Sequence, residues 1–196
     1  TLKGMLETVL KRFAVERVII VADRGLLSMD NVAELARIAD DSARKLQFIL
    51  AVPARRYAEL GETLEGLSYT DGLAEGRFAE HRLVVAHDLV RAVEQAAKRR
   101  ERIREIEELG EKLVAKLDAQ DEGVTERGRK ASDRGAYSRS QQAIGDAELT
   151  RFIHADYAAS RFSYAIDEDA IAAAERFDGK LVLLTNVPDF NAAKVV

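Results

Sequence analysis

The side chains of this chain that could do chemistry reduce to carboxylates. There is no Cys, which excludes disulfides and zinc–thiolate sites and fits a reducing cytoplasm. The three histidines, His81, His87 and His154, show no metal-ligand spacing and read as surface or interface residues. Neither a glycine-rich phosphate loop nor a Gly-x-Ser-x-Gly elbow occurs. Among the carboxylates Asp23 is the best placed, at the end of Arg17-Val-Ile-Ile-Val-Ala and before Arg24-Gly25. A continuous apolar run bounded by polar residues reads as a strand buried on both faces. Open α/β sheets do their chemistry beyond the carboxyl ends of such strands, where one carboxylate can hold a hard cation such as Mg²⁺. The bland alternative is that Asp23 only caps a turn that Gly25 makes sharp. Glu175 and Asp178 also precede a strand, but Asp178-Gly179 reads as a turn, and Asp167-Glu168-Asp169 as a helix cap.

The elements that must position Asp23 are legible around it. Leu2, Met5, Leu6, Val9, Leu10 and Phe13 predict an amphipathic helix over about residues 2 to 14. The strand at Val18–Ala22 follows. A helix capped by Ser28 or Asp30 then carries Val32, Leu35, Ala36, Ile38 and Ala39, and a second strand occupies Leu46–Val52 until Pro53 stops it. A strand–helix–strand unit favours a right-handed crossover and parallel pairing. Two parallel strands do not make a stable sheet, so further strands must join them.

After Pro53 the texture changes. Arg55–Leu64 reads as a short polar helix, Ser68–Gly76 as a loop with an Asp71-Gly72 turn, and Arg82–Ala86 as a third strand. A long helix is expected from Asp88 to about Ala119. Leu89, Val93, Ala96, Ile103, Ile106, Leu113 and Leu117 form its stripe, Glu94–Lys98 and Glu108–Lys112 are its i,i+4 pairs, and it reads as an exposed arm. Its basic run Lys98–Arg104 has the charge to meet phosphates but reads more simply as a solvated face. Asp121–Gln142 is expected to be a mobile or DNA-facing loop, Ala147–Ile153 a short helix and Arg161–Ile166 a strand. A short helix follows with Ile171, then a turn at Phe177–Lys180, a strand at Leu181–Leu184 and an opening helix after Pro188-Asp189.

Composition bounds the function classes. Apolar residues make up 47% of the 196, enough for a core, and charged residues 33%, above the usual quarter or so. The formal net charge of -4 gives the whole chain no nucleic-acid signature, so any DNA contact must come from local patches. No apolar run approaches a membrane span and no signal peptide is visible, so a cytoplasmic protein with no membrane partner is expected.

Val18-Ile-Ile-Val-Ala-Asp-Arg-Gly-Leu-Leu-Ser28 resembles the second-aspartate motif of bacterial insertion-sequence transposases of the DDE class. Arg176-Phe-Asp-Gly-Lys-Leu-Val-Leu-Leu-Thr-Asn186 resembles that family's segment before its catalytic Glu helix, and Phe48–Val52 and Arg82–Ala86 fit in order and spacing. The resemblance spans nearly the whole chain and is weakest between about Ala119 and Ser160. It implies a partial RNase H-like core of helix–strand–helix–strand over 1–53. A mainly helical insertion over 54–160 carries the long exposed helix, and return strands follow over 161–196. It also implies two Mg²⁺ or Mn²⁺ ions held by three carboxylates, of which Asp23 matches the second. The first Asp would belong before Thr1 and the Glu after Val196. DNA would be the substrate, handled by a homodimer formed on DNA, and Arg24, Arg127, Arg129, Lys130 and Arg134 are candidate DNA contacts. With one carboxylate of three the chain alone is expected to be inactive, and its unpartnered apolar strand is expected to drive self-association. A non-enzymatic α/β module whose long helix pairs with a partner is the alternative. A different phosphoryl-transfer enzyme would need a second catalytic group, which the sequence does not offer.

Overall fold

The computed structural model describes residues 4, 8, 12, 17–22, 45–124 and 130–196. The described residues divide into a sheet unit, up to Asp88 and again from Gly179, and an inserted unit, Leu89–Asp178. The sequence reading places the insertion at 54–160 instead. β3 and β4, below, belong to the sheet unit.

The sheet unit contains β1 (Arg17–Ala22), β2 (Lys45–Ala51), a 3₁₀ helix (Ala54–Leu60), α1 (Gly61–Glu65), β3 (Leu73–Phe78) and β4 (His81–His87), and, after the insertion, β7 (Lys180–Thr185) and α5 (Ala192–Val195). Among the described residues these strands form one sheet in the order β1-β2-β7-β4-β3. β1 and β2 pair in parallel, as the strand–helix–strand reading requires, and β7 is antiparallel to both β2 and β4. β1, β2 and β4 therefore all point the same way.

The apolar runs of β2, β4 and β7 follow from burial on both faces. Leu50, Leu184 and Leu83 lie in one row, Val182 pairs with Val85, and all are nearly fully buried. On the opposite face Ile49, Val84 and Leu183 form a cluster with Val187 and Val195, against which Ile19, Phe190 and Ala192 pack. The segment after β7 is thus the cover of that face.

Arg17 ties this cover to the first strand. Its guanidinium donates to both Asp189 carboxylate oxygens at 2.8 and 2.5 Å, and to Gln47 Oε1 at 2.6 Å. It also lies over the Phe190 ring. The pairing holds Asp189 below the usual carboxylate range. Arg82 makes a second tie, donating to Phe190 O at 2.5 Å while its other nitrogens hold Glu75.

β3, absent from the sequence reading, begins where a loop was expected. Asp71 and Gly72, both at positive φ, form a two-residue turn between Thr70 and Leu73, which exchange both backbone hydrogen bonds. A Cβ on Gly72 would meet His87 O at 3.0 Å, so glycine is needed there twice over. The strand was hidden because Glu75, Gly76 and Arg77 interrupt it, a pattern suited to a sheet edge.

The inserted unit contains α2 (Leu89–Asp121), α3 (Asp133–Asp146), β5 (Ile153–Ala158), β6 (Arg161–Ile166) and α4 (Glu168–Glu175). α2 is no free arm beyond its first turns. Ile103 is buried with Ile144, Leu149, Ile153 and Ile171, and Leu117 with Ala136 and Phe162. Gly110 lets Tyr164 lie against the helix, because a Cβ there would fall 2.6 Å from the tyrosine ring. Arg100, on the same helix, donates to Glu175 and Glu168.

Three expectations fail within this unit. The loop expected over Asp121–Gln142 contains most of α3, capped by Ser132, whose hydroxyl accepts from Gly135 N; residues 125–129 lie outside the described residues. Ala147–Ile153 is a turn into β5 rather than a helix. β6, expected to return to the core, pairs with β5 in a separate two-stranded sheet. Their hairpin turns through Ala159 and Ser160, both at positive φ, which neither residue type announces. Asp167 does cap α4, as the sequence implies, accepting from Ala170 N at 2.8 Å. Of the helix expected over residues 2 to 14, Gly4, Thr8 and Arg12 are helical. The helix carrying Val32 to Ala39 lies outside the described residues.

The insertion enters and leaves the sheet unit at adjacent points. His87 pairs with Lys180, and Asp88 N donates to Gly179 O at 3.0 Å. Deleting Leu89–Asp178 would leave Asp88-Gly179 as a two-residue loop between paired strands, the Asp-Gly sequence that tight hairpins favour. The shortened chain is expected to unfold cooperatively with a β-rich circular dichroism spectrum. A chain with no melting transition would show that the sheet needs the insertion.

Candidate functional site

The candidate site begins where β1 ends. Ala22, the last described residue of β1, is buried and pairs with Leu50, toward the carboxyl end of a parallel pair. Asp23 and Arg24 follow directly in sequence and lie outside the described residues, as do Arg127 and Arg129. Lys130 and Arg134 are described: both are exposed, and they sit four residues apart around the start of α3, in the inserted unit. The Arg134 carbonyl accepts from the Ser138 hydroxyl at 3.0 Å. Among the described residues no group of three His, Cys, Asp or Glu side chains is arranged to hold a metal ion.

Thr185 and Asn186, the end of the second motif, have a definite job. The Thr185 hydroxyl donates to Phe48 O at 2.7 Å and accepts from Val187 N at 3.0 Å. The Asn186 side-chain oxygen accepts from Phe48 N at 2.8 Å. The two side chains therefore take both polar groups of one β2 residue at the point where β7 runs out. Buried backbone groups at a strand end must find such partners. Asp178, read as a turn residue, instead forms a buried ion pair with Arg99 at 2.5 and 2.8 Å, within the inserted unit. No sequence signal linked these two positions. Gly179 beside it does carry the positive φ that the turn reading requires.

A second group of polar side chains collects at the carboxyl end of β4. The Tyr69 ring lies 5.5 Å from the His87 ring, and the Lys180 ammonium lies 5.7 Å from the centre of the Tyr69 ring. Burial pushes Lys180 below the ordinary lysine range, against the opposing pull of Glu65, and pushes the Tyr69 phenol up. The Tyr57 hydroxyl supports the strand beneath, donating to Lys180 O and accepting from Val182 N, each at 3.2 Å. Two strands, β2 and β7, separate β4 from β1, and β1 ends in the row of Leu83 rather than of His87. The group therefore lies roughly 20 Å from the end of β1, too far to share a metal site with it. Of the other histidines, His81 lies edge-on to Phe48, and His154 is exposed, 3.7 Å from Asp167.

The Tyr69 hydroxyl is buried with no hydrogen-bond partner among the described residues. An unsatisfied buried hydroxyl costs about 1–3 kcal/mol, whereas the ring without it keeps the packing against His87 and Lys180. Tyr69→Phe is therefore expected to raise stability by about 1 kcal/mol in urea denaturation. A loss of similar size would mean that the hydroxyl is satisfied after all.

Comparison of the chain with protein-family models, with curated proteins and with solved structures returns no match.

Proposed function

We propose that this chain is part of the catalytic core of an insertion-sequence transposase of the DDE class, an enzyme of metal-dependent DNA cleavage and strand transfer. The observation that carries the reading is the placement of the motif strand. β1 pairs in parallel with β2, and Asp23 follows its carboxyl end in sequence. A separate unit interrupting the sheet between β4 and β7, before the Thr185-Asn186 segment, supports the split RNase H-like core that the resemblance implies.

In this reading Asp23 is the second of three carboxylates around two Mg²⁺ or Mn²⁺ ions. Such ions supply Lewis acidity at the attacking and leaving oxygens of the scissile phosphate. The resemblance matches one of the three carboxylates to this chain, and among the described residues no group of three His, Cys, Asp or Glu side chains is arranged to hold a metal ion. The donor set is short of a two-ion site, so the chain alone is not expected to cut DNA. Arg24, Arg127, Arg129, Lys130 and Arg134 are the proposed DNA contacts, in a cytoplasmic enzyme acting as a homodimer on its element ends.

A second reading is favoured by one feature of the inserted unit. Leu89, Val90 and Val93, in the first turns of α2, are 69%, 71% and 70% exposed. Apolar side chains so placed suit a helix that pairs with a partner, in a module without catalysis.

Sequencing the DNA on both sides of the reading frame separates the two. An upstream strand ending in Asp, a downstream helix carrying Glu and flanking inverted repeats are expected for the transposase. Unrelated neighbours would sink it. Given the longer protein, Asp23→Ala is expected to abolish cleavage of end DNA while sparing its binding; retained cleavage would remove Asp23 from the site.

A further inference from the structure

We propose that Tyr69, His87 and Lys180 form a binding site for a small phosphate, inorganic or a monoester, at the carboxyl end of β4. His87 and Lys180 stand opposite each other across β4 and β7, so their side chains share one face of the sheet. Asp88 N donates to Gly179 O in the next pair. By alternation the His87–Lys180 pair is the kind without backbone hydrogen bonds, whose side chains lie closer together. Tyr69 lies against both, its ring 5.5 Å from the His87 ring and the Lys180 ammonium 5.7 Å from its centre. The same face runs inward as Val85 opposite Val182 and Leu83 opposite Leu184, all nearly fully buried. An apolar double row therefore turns polar at its last pair, and such breaks in a local rule collect at functional sites.

What these three groups lack selects the ligand. The Tyr69 hydroxyl is buried with no hydrogen-bond partner among the described residues. Among those residues the Lys180 ammonium and the His87 ring also make no hydrogen bond or ion pair. Elsewhere in the sheet unit such groups are taken: Arg17 holds Asp189, Arg82 holds Glu75 and Thr185 holds Phe48 O. Lys180 offers donors and no acceptor, which excludes a cation, and the imidazole and phenol each add an N–H or O–H. A phosphate presents several oxygens to such a set in charge-assisted hydrogen bonds. A monoester keeps three free oxygens where a backbone phosphodiester keeps two, so the half-buried trio suits the small ligand. Burial disfavours the Lys180 charge, with Glu65 the carboxylate that favours it, and a bound anion adds to that favourable side. The inference is independent of the transposase reading.

Equilibrium dialysis of the full chain against radiolabelled inorganic phosphate, at constant ionic strength set with chloride, tests it. Saturable uptake approaching one phosphate per chain is expected, with a dissociation constant of about 1 mM or below. Lys180→Met, His87→Phe and Tyr69→Phe are each expected to weaken binding about tenfold, the loss of one hydrogen bond to a charged group. Lys180→Arg, which keeps the charge, is expected to retain uptake. Circular dichroism melts identify the variants that fold. Tyr69→Phe separates binding from structure, because without the orphan hydroxyl the unliganded chain is expected to melt no lower than the parent while its affinity falls. Uptake that does not saturate, or that the folded variants leave unchanged, overturns the proposal. So does a Tyr69→Phe chain that loses affinity and stability together, since the hydroxyl is then a structural group.

Discussion

The sheet depends on β7. β1 and β2 form a parallel pair, β3 and β4 an antiparallel one, and β7 is the strand that joins the pairs. Its residues Val182 and Thr185 are fully buried and Leu183 and Leu184 nearly so, with neighbours on both sides. Yet β7 arrives only after the entire inserted unit. Closing so long a loop by random search is slow and entropically costly. The insertion lowers that cost by bringing its own ends together: Asp88 and Gly179 are hydrogen-bonded neighbours, so the folded insertion acts like a short hairpin loop. Thus a unit with its own apolar clusters is also what lets the last strand find the middle of the sheet.

The same logic explains where polar side chains are spent. Wherever a regular ladder stops, a side chain continues it. Thr185 and Asn186 take the Phe48 peptide groups at the end of β7. Gln120 donates to Ala131 O and accepts from Ala131 N, closing the end of α2 onto the chain before α3. Asp133 accepts from Phe162 N where β6 begins. Each replaces water at a backbone group that packing would otherwise strand, and none adds a reactive group. This is why these polar residues, among the described ones, have structural work.

Legibility followed local signal. Strands and the long helix were readable because Val18–Ala22, Leu46–Ala51, Arg82–Ala86 and Leu181–Leu184 are continuous apolar runs, and because α2 repeats its apolar residues every three or four positions; but β1 is not buried on both faces as its run implies, Val21 being 74% exposed. The parallel pairing of β1 and β2 followed from a helix-length connection. The edges were not readable. β3 is broken by Glu75, Gly76 and Arg77, β5 by His154 and Asp156, and the β5–β6 turn uses Ala159 and Ser160 in a conformation that tertiary contacts impose. α3 was hidden because its buried positions are Ala136, Ser140 and Ile144, so small residues carry a face that a hydrophobicity count passes over. At the candidate site, Asp23 stands out in the sequence but lies outside the described residues, and the role of Thr185-Asn186 in holding Phe48 shows only in the fold. The grouping of Tyr69, His87 and Lys180 and the pairing of Arg99 with Asp178 depend on contacts between distant residues that no local pattern encodes.

β1 carries two constraints. Its parallel partner and the buried Ala22 fix the position of the strand's last described residue, directly before the carboxylate of position 23 in sequence. Its outer side, by contrast, has no strand beside it among the described residues. A metal site built from several strands places its ligands by the spacing of those strands, about 4.8 Å apart, and a ligand on a terminal strand has such a neighbour on one side only. Here that side is β2, whose carboxyl end offers Ala51, Val52 and Pro53, none with a donor side chain.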